Sequence, residues 1–270
     1  MRVNSVEFFV WNADPVLFSL GPITVHWYGA LFALAILSGL QVLKWCYVQE
    51  KMDVESLDNL LMYAVVGIVV GARLAHCLLY DPGYYLSNPL KILAIWEGGL
   101  ASHGGGLGVI IAAYFYQKKY KMSFMWLLDR LAISTALFGF FVRTGNFMNS
   151  EIIGIQTDVP WAVIFSRIDN LPRHPAQLYE ALSYLSIFAV LFLAYRLTKI
   201  KNYSGALLGS FLVLIFTARF AIEFVKIKQA AYSSELAFST GQMLSIPFFL
   251  VGVALIIRAY LSRSNTNVIN

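Results

Sequence analysis

The feature that most constrains this chain is a recurrence of apolar runs nearly free of charge, each near the ~20 residues needed to cross a bilayer core. We read seven of them, at roughly 22–44, 59–80, 100–116, 126–142, 177–195, 204–224 and 240–260. A segment in hydrocarbon must satisfy its own backbone polar groups, so these runs predict helices. Hydrophobic residues make up 59% of the chain and charged residues only 13%, which excludes an ordinary water-soluble domain. The expected fold is an all-α, polytopic integral membrane protein forming a single transmembrane domain over 1–270. The polar stretch 1–21 carries no cleavage pattern, so no secretory signal is expected.

Seven spans place the termini on opposite sides. Lys118, Lys119, Lys121, Arg196, Lys199 and Lys201 enrich the loops on one side, which predicts an outside N-terminus and a cytoplasmic C-terminus. The net charge of +5 suits such loops and an anionic bilayer surface, and we do not read nucleic-acid binding from it. Cys46 and Cys77 fall at different depths, so no disulfide is expected. Two outer-face connectors, around 81–99 and 143–176, are long enough to be functional. Gly67/Gly71, Gly104/Gly108 and Gly205/Gly209 predict tight helix contacts.

Chemistry concentrates in Phe141-Val-Arg-Thr-Gly-Asn-Phe-Met-Asn-Ser-Glu-Ile-Ile-Gly154. If the preceding helix continues, Arg143, Asn146 and Asn149 share nearly one face. A guanidinium flanked by amides can bind a phosphate in bidentate fashion. Gly145 and Gly154 suggest close backbone approach or a left-handed turn past the helix end. A lone arginine there would read as one snorkelling to water; the cluster favours a site.

Arg73, His76 and Tyr80 form a polar stripe on the second span, equally suited to a buried network or a lipid-headgroup site. Arg219 and Glu223, at i and i+4, are expected to pair, with a phosphate as the alternative ligand of the arginine. His103 precedes three glycines at the start of the third span, where free N–H groups and an imidazole can meet an anion or move a proton. A histidine buried in a glycine-mediated crossing is the alternative. Tyr28, in His26-Trp-Tyr28-Gly, fits an aromatic belt, and His174 fits loop ordering. No metal-ligand spacing, P-loop or Gly-x-Ser-x-Gly elbow is present in the sequence.

Three of these pieces together resemble the bacterial prolipoprotein diacylglyceryl transferase family: Arg143-x-Gly-Asn-Phe-x-Asn-x-Glu-x-x-Gly154, Gly98-Gly-Leu-x-x-His103-Gly-Gly105 and His26-Trp-Tyr-Gly29. The resemblance extends to Arg173-His-Pro-Ala-Gln-Leu-Tyr-Glu180, Arg219-x-x-x-Glu223 and Gly241-Gln-Met-Leu-Ser-Ile-Pro247. Some relatives carry arginine where this chain has Lys226 and tyrosine near Ile215.

The resemblance implies a seven-span enzyme of the bacterial inner membrane whose active site faces outward. Its partners would be phosphatidylglycerol, the lipobox cysteine of a prolipoprotein, and the bilayer, with no metal or cofactor. It implies Arg143 as headgroup ligand, with Asn146, Asn149 and Gly154 shaping the pocket and Glu151 fixing Arg143. His103 is then the candidate general base, Arg219 a second phosphate contact oriented by Glu223, and Tyr28 a hydrogen-bond donor. Arg73 and Tyr80 would line the lipid path. An anion transporter or channel, or a non-catalytic lipid-binding scaffold, are the rival readings.

Overall fold

A computed structural model describes residues 7–99, 101–227 and 238–266, without the side chains of Glu97, Ser102, His103 and 263–266. In chain order come β1 (Phe9–Trp11), β2 (Val16–Leu20), β3 (Ile23–His26), α1 (Trp27–Gln49), α2 (Ser56–Ala75, extended by a wider π turn over His76–Tyr80) and α3 (Pro82–Ser87). They are followed by α4 (Ser102–Lys119), α5 (Phe124–Met148), β4 (Val163–Phe165), β5 (Pro172–Arg173), α6 (Ala176–Leu197), α7 (Ala206–Ile222) and α8 (Thr240–Thr266). Each expected span coincides with a helix. Six of the helices are long and apolar enough to cross a membrane; α4, which opens Ser-His-Gly-Gly-Gly, is not among them. The molecule is a mostly helical, multi-pass membrane protein.

Two small sheets depart from the all-α expectation. β2 and β3 form an antiparallel hairpin where the first span was expected to begin. β1 runs parallel to β4, which pairs antiparallel with β5. These strands have two to five residues, too short to print an alternation that stands out from their surroundings.

The chain divides into two units, Met1–Val42 with Asp129–Asn270, and Leu43–Leu128. In the second, α2 and α4 cross through their glycines: a Cβ on Gly67 or Gly71 would strike the backbone of Gly108 or Gly104. The two predicted glycine pairs are therefore the two sides of one contact, where small residues let backbones approach. Cys46 and Cys77 are both buried, and no disulfide joins them.

In the first unit, Gly209 of α7 meets Gly252 of α8. Gly205, expected as its partner in a helix contact, instead adopts φ 91° just before α7. Buried Asp129 on α5 accepts the Gly205 and Leu208 N–H groups, both at 2.8 Å, and so caps α7 from another helix. Arg130 beside it is 2% exposed and donates to the Lys201 carbonyl.

The three-stranded sheet seats on the end of α5. Phe147, Ile153, Val163 and Phe165 form a buried cluster joined by Trp11, Met148 and Leu178. The Trp11 indole N–H donates to the Phe147 carbonyl at 3.1 Å, and the two rings lie 4.4 Å apart. This small core fixes the helix end that carries Arg143 and Asn146.

Candidate functional site

Helix α5 runs to Met148, so Arg143 and Asn146 project from its last turns and Asn149 follows just past its end. The chain then reverses through Ser150 and Ile152, both at φ 56°. The left-handed turn predicted near the helix end exists, but neither Gly145 nor Gly154 makes it. Both glycines serve close approach instead. A Cβ on Gly145 would meet the Tyr28 ring, and one on Gly154 would meet His174 and the Val225 carbonyl. Gly154 N–H donates to the His174 carbonyl at 2.9 Å, and Gly154 also bridges to Lys226.

Arg143 Nε lies 2.8 Å from a carboxylate oxygen of Glu180, on α6, which is wholly buried. Its Nη1 donates to Asn146 Oδ1 at 3.1 Å. Asn146 and Asn149 each donate an amide hydrogen to Glu151, at 3.0 Å. Glu151 thus orders the two amides, while the carboxylate fixing Arg143 is Glu180. Arg143 keeps 17% of its side chain exposed while Glu180 and Asn146 hold its guanidinium. Gln177, also fully buried, donates to the Glu151 carbonyl.

Glu180 serves a second cation. Lys226 Nζ stands 3.3 Å from it and 3.3 Å from Glu223, with Lys226 only 7% exposed. Glu223 also accepts from the Ser239 hydroxyl at 3.0 Å and packs against Gly241. The expected Arg219–Glu223 pair does not form, because Lys226 and Ser239 occupy that carboxylate. Among the described residues Arg219 has no ion-pair partner. It stays close to the cluster, since buried Tyr184 feels the charges of both Arg143 and Arg219. Glu180, Lys226 and Tyr184 were not assigned roles from the sequence. The only hint of Glu180 was its place at the end of the Arg173–Glu180 motif.

The adjoining loop is held by Arg173, which grips Asp169 through two nitrogens, at 3.1, 3.0 and 2.5 Å to the carboxylate oxygens. That guanidinium holds the Asp169 carboxyl below its usual range. Trp161 donates its indole N–H to the Tyr179 hydroxyl at 2.7 Å, and that hydroxyl lies 3.0 Å from His174 Nδ1. An indole can only donate, so the hydroxyl is free to give its own hydrogen to a neutral imidazole. Burial pushes His174 below the usual histidine value.

The other unit holds the remaining candidates. Arg73 is 3% exposed and spends its donors on backbone carbonyls: Nε on Ile92 at 2.9 Å, Nη1 on Gly98 and Gly99 at 2.5 and 3.3 Å, Nη2 on Lys91 at 2.6 Å. It clamps the 81–99 segment with four of its five N–H groups. Tyr80 is 67% exposed and stacks on His76 at 5.8 Å. His103 lies in the first turn of α4, and its side chain falls outside the described residues.

These contacts, on a protein with six apolar helices, define a multi-pass membrane protein with a polar cluster gathered around a buried carboxylate. The family model described as prolipoprotein diacylglyceryl transferase matches residues 15–258. The chain belongs to that family. Phosphatidylglycerol–prolipoprotein diacylglyceryl transferase of Tolumonas auensis is 57% identical over 92% of this chain and 96% of its own. The proteins of the same name from Chloroherpeton thalassium and Porphyromonas gingivalis are 46% and 45% identical, over 95% and 93% of this chain and 96% and 95% of theirs.

Proposed function

We propose that this chain is a transferase that moves the diacylglyceryl group of phosphatidylglycerol to the lipobox cysteine thiol of a prolipoprotein. Family membership supports this reading over a solute carrier or a scaffold. The observation that carries it at the residue level is Arg143, held through Nε by buried Glu180 and still 17% exposed.

In the reaction, the thiol sulfur forms a bond to the glycerol carbon, and the bond from that carbon to the phosphate oxygen breaks. Glycerol phosphate leaves with the bonding electrons, and the thiol proton passes to a base or to the departing phosphate. Arg143 binds the phosphate and stabilises the charge that grows on it. Asn146, kept in register by Glu151 and joined there by Asn149, fixes the direction of the guanidinium. Arg219 is the second phosphate contact, Glu223 orients Lys226, and Gly154 lets the chain after the helix pass close to His174 and Val225. Tyr28, packed on Gly145, supplies a hydroxyl to the wall, and Tyr80 is a contact on the lipid path. His103 is the candidate base, because a thiol of pKa near 8.5 needs help to ionise at neutral pH.

The same reading takes α4 as a seventh span, with the N-terminus outside, the C-terminus in the cytoplasm, and one transmembrane domain set in the bacterial inner membrane. The site would face the periplasm, where lipid and prolipoprotein are both available. Purified protein with phosphatidylglycerol and a lipobox peptide should add one diacylglyceryl mass to the peptide cysteine. A folded protein that adds none, with several anionic lipids, would overturn the proposal.

A further inference from the structure

The hairpin of β2 and β3 has two chemically different faces. Ser19 pairs with Thr24, and their hydroxyls meet at 3.2 Å. Leu20 pairs with Ile23, and side chains alternate along a strand, so these two point to the opposite side. Phe18 joins Leu20 on that side, two residues away. Phe18, Leu20 and Ile23 are 53%, 73% and 62% exposed. The tip, Gly21-Pro22, carries no charge. Three large exposed apolar side chains on one face of so short a hairpin make a patch that water-facing surfaces seldom carry.

The hairpin is also tied to a membrane-spanning helix. β3 ends at His26 and α1 begins at Trp27, with no residue between them. Trp27 N–H donates to the Pro15 carbonyl at 2.9 Å, which binds the base of the other strand to the same helix turn. Strands rise about 3.3 Å per residue, so the tip stays within roughly 17 Å of the end of α1. A segment at that position, apolar on one face and hydroxyl-bearing on the other, matches the boundary between headgroups and acyl chains.

We infer that the Phe18–Leu20–Ile23 face docks into the headgroup–acyl boundary of the bilayer and acts as a fixed interfacial anchor. The partner is the lipid surface itself. Tyr28 sits one residue into α1 with its ring against Gly145, so the anchor also sets the depth of that wall of the site. The inference rests on α1 crossing the membrane and is independent of the reaction.

The test uses nitroxide labels on Ser19→Cys and Leu20→Cys, one at a time, in the full chain, whose own Cys46 and Cys77 are buried. The protein is placed in nanodiscs of phosphatidylethanolamine and phosphatidylglycerol, and accessibility to oxygen and to a water-soluble nickel chelate is measured. The label at Leu20 should favour oxygen and the label at Ser19 the chelate, so that adjacent residues invert the ratio. Thr24→Cys and Ile23→Cys repeat the comparison on the partner strand, so distortion by one label does not decide the outcome. Both faces open to the chelate would overturn the inference. So would a Leu20 label shielded from both reagents, or one that loses chelate access only when a lipobox peptide is added, which would make the face a peptide-docking surface.

Discussion

At the scale of single residues, Glu180 explains how Arg143 can be both fixed and available. A buried carboxylate between two cations is costly to disturb, because removing it leaves buried positive charge uncompensated. Glu180→Gln keeps the volume and one acceptor but loses the charge that aligns Nε. We expect kcat/KM to fall about 10–100-fold, or roughly 1.4–2.7 kcal/mol, in a protein that still melts cooperatively. Steady-state transfer assays read this directly, and an unchanged kcat/KM would remove Glu180 from the site. Gly154→Ala acts differently, forcing a methyl into His174 and the Val225 carbonyl. Overpacking of this kind costs about 1–3 kcal/mol and should lower the melting midpoint by several degrees. Arg143 and Asn146 were legible in the sequence because they lie a helical turn apart in one segment. Glu180 was not, since its partners lie dozens of residues away on either side. The partners of Arg73 were hidden for a related reason: they are backbone carbonyls of 91–99, and carbonyls leave no mark in a sequence.

At the scale of elements, the loop between α5 and α6 carries its own acid sensitivity. His174 has its folded-state pKa depressed by burial, so the unfolded chain binds more protons below about 6.5. Stability from keeping it neutral is therefore full above that value and falls as pH drops toward the folded pKa. Asp169, depressed by Arg173, adds stability that is full above about 3.8 and is lost as pH falls through its folded pKa. Melting measured from pH 8 to 5 should show a decline starting near 6.5 that flattens in His174→Asn. An identical slope in the variant would exclude the histidine as its source. The α2–α4 crossing makes a second element-scale prediction. Gly108→Val must push the helices apart and destabilise, whereas Gly106→Ala, with no neighbour within 4 Å of the new methyl, should melt within about a degree of wild type. The four-residue spacing of Gly104 and Gly108 already marked these two as the contact glycines, and left Gly106 off that face.

At the scale of the whole molecule, length and apolarity made every long helix legible in advance, since a single segment can satisfy its own backbone in lipid only as a helix. The small sheets stayed hidden because strands of two to five residues are too short to print a pattern, and the three-stranded one is seated on the end of α5. Arg130 shows the limit of counting charges: it lies near the end of a span, yet it is buried beside Asp129. The proposed topology predicts that reporters fused to the two termini fall on opposite sides of the membrane; reporters on the same side would mean that α4 does not cross. The central claim, that Arg143 is the phosphate anchor of a diacylglyceryl transferase, is tested most directly by mass spectrometry of a lipobox peptide. Wild type and Arg143→Ala would each be incubated with phosphatidylglycerol in detergent, with melting curves to confirm folding. The account predicts a diacylglyceryl adduct on the cysteine for wild type and a rate at least about 100-fold lower for the variant. A folded Arg143→Ala protein that transfers at the wild-type rate would contradict it.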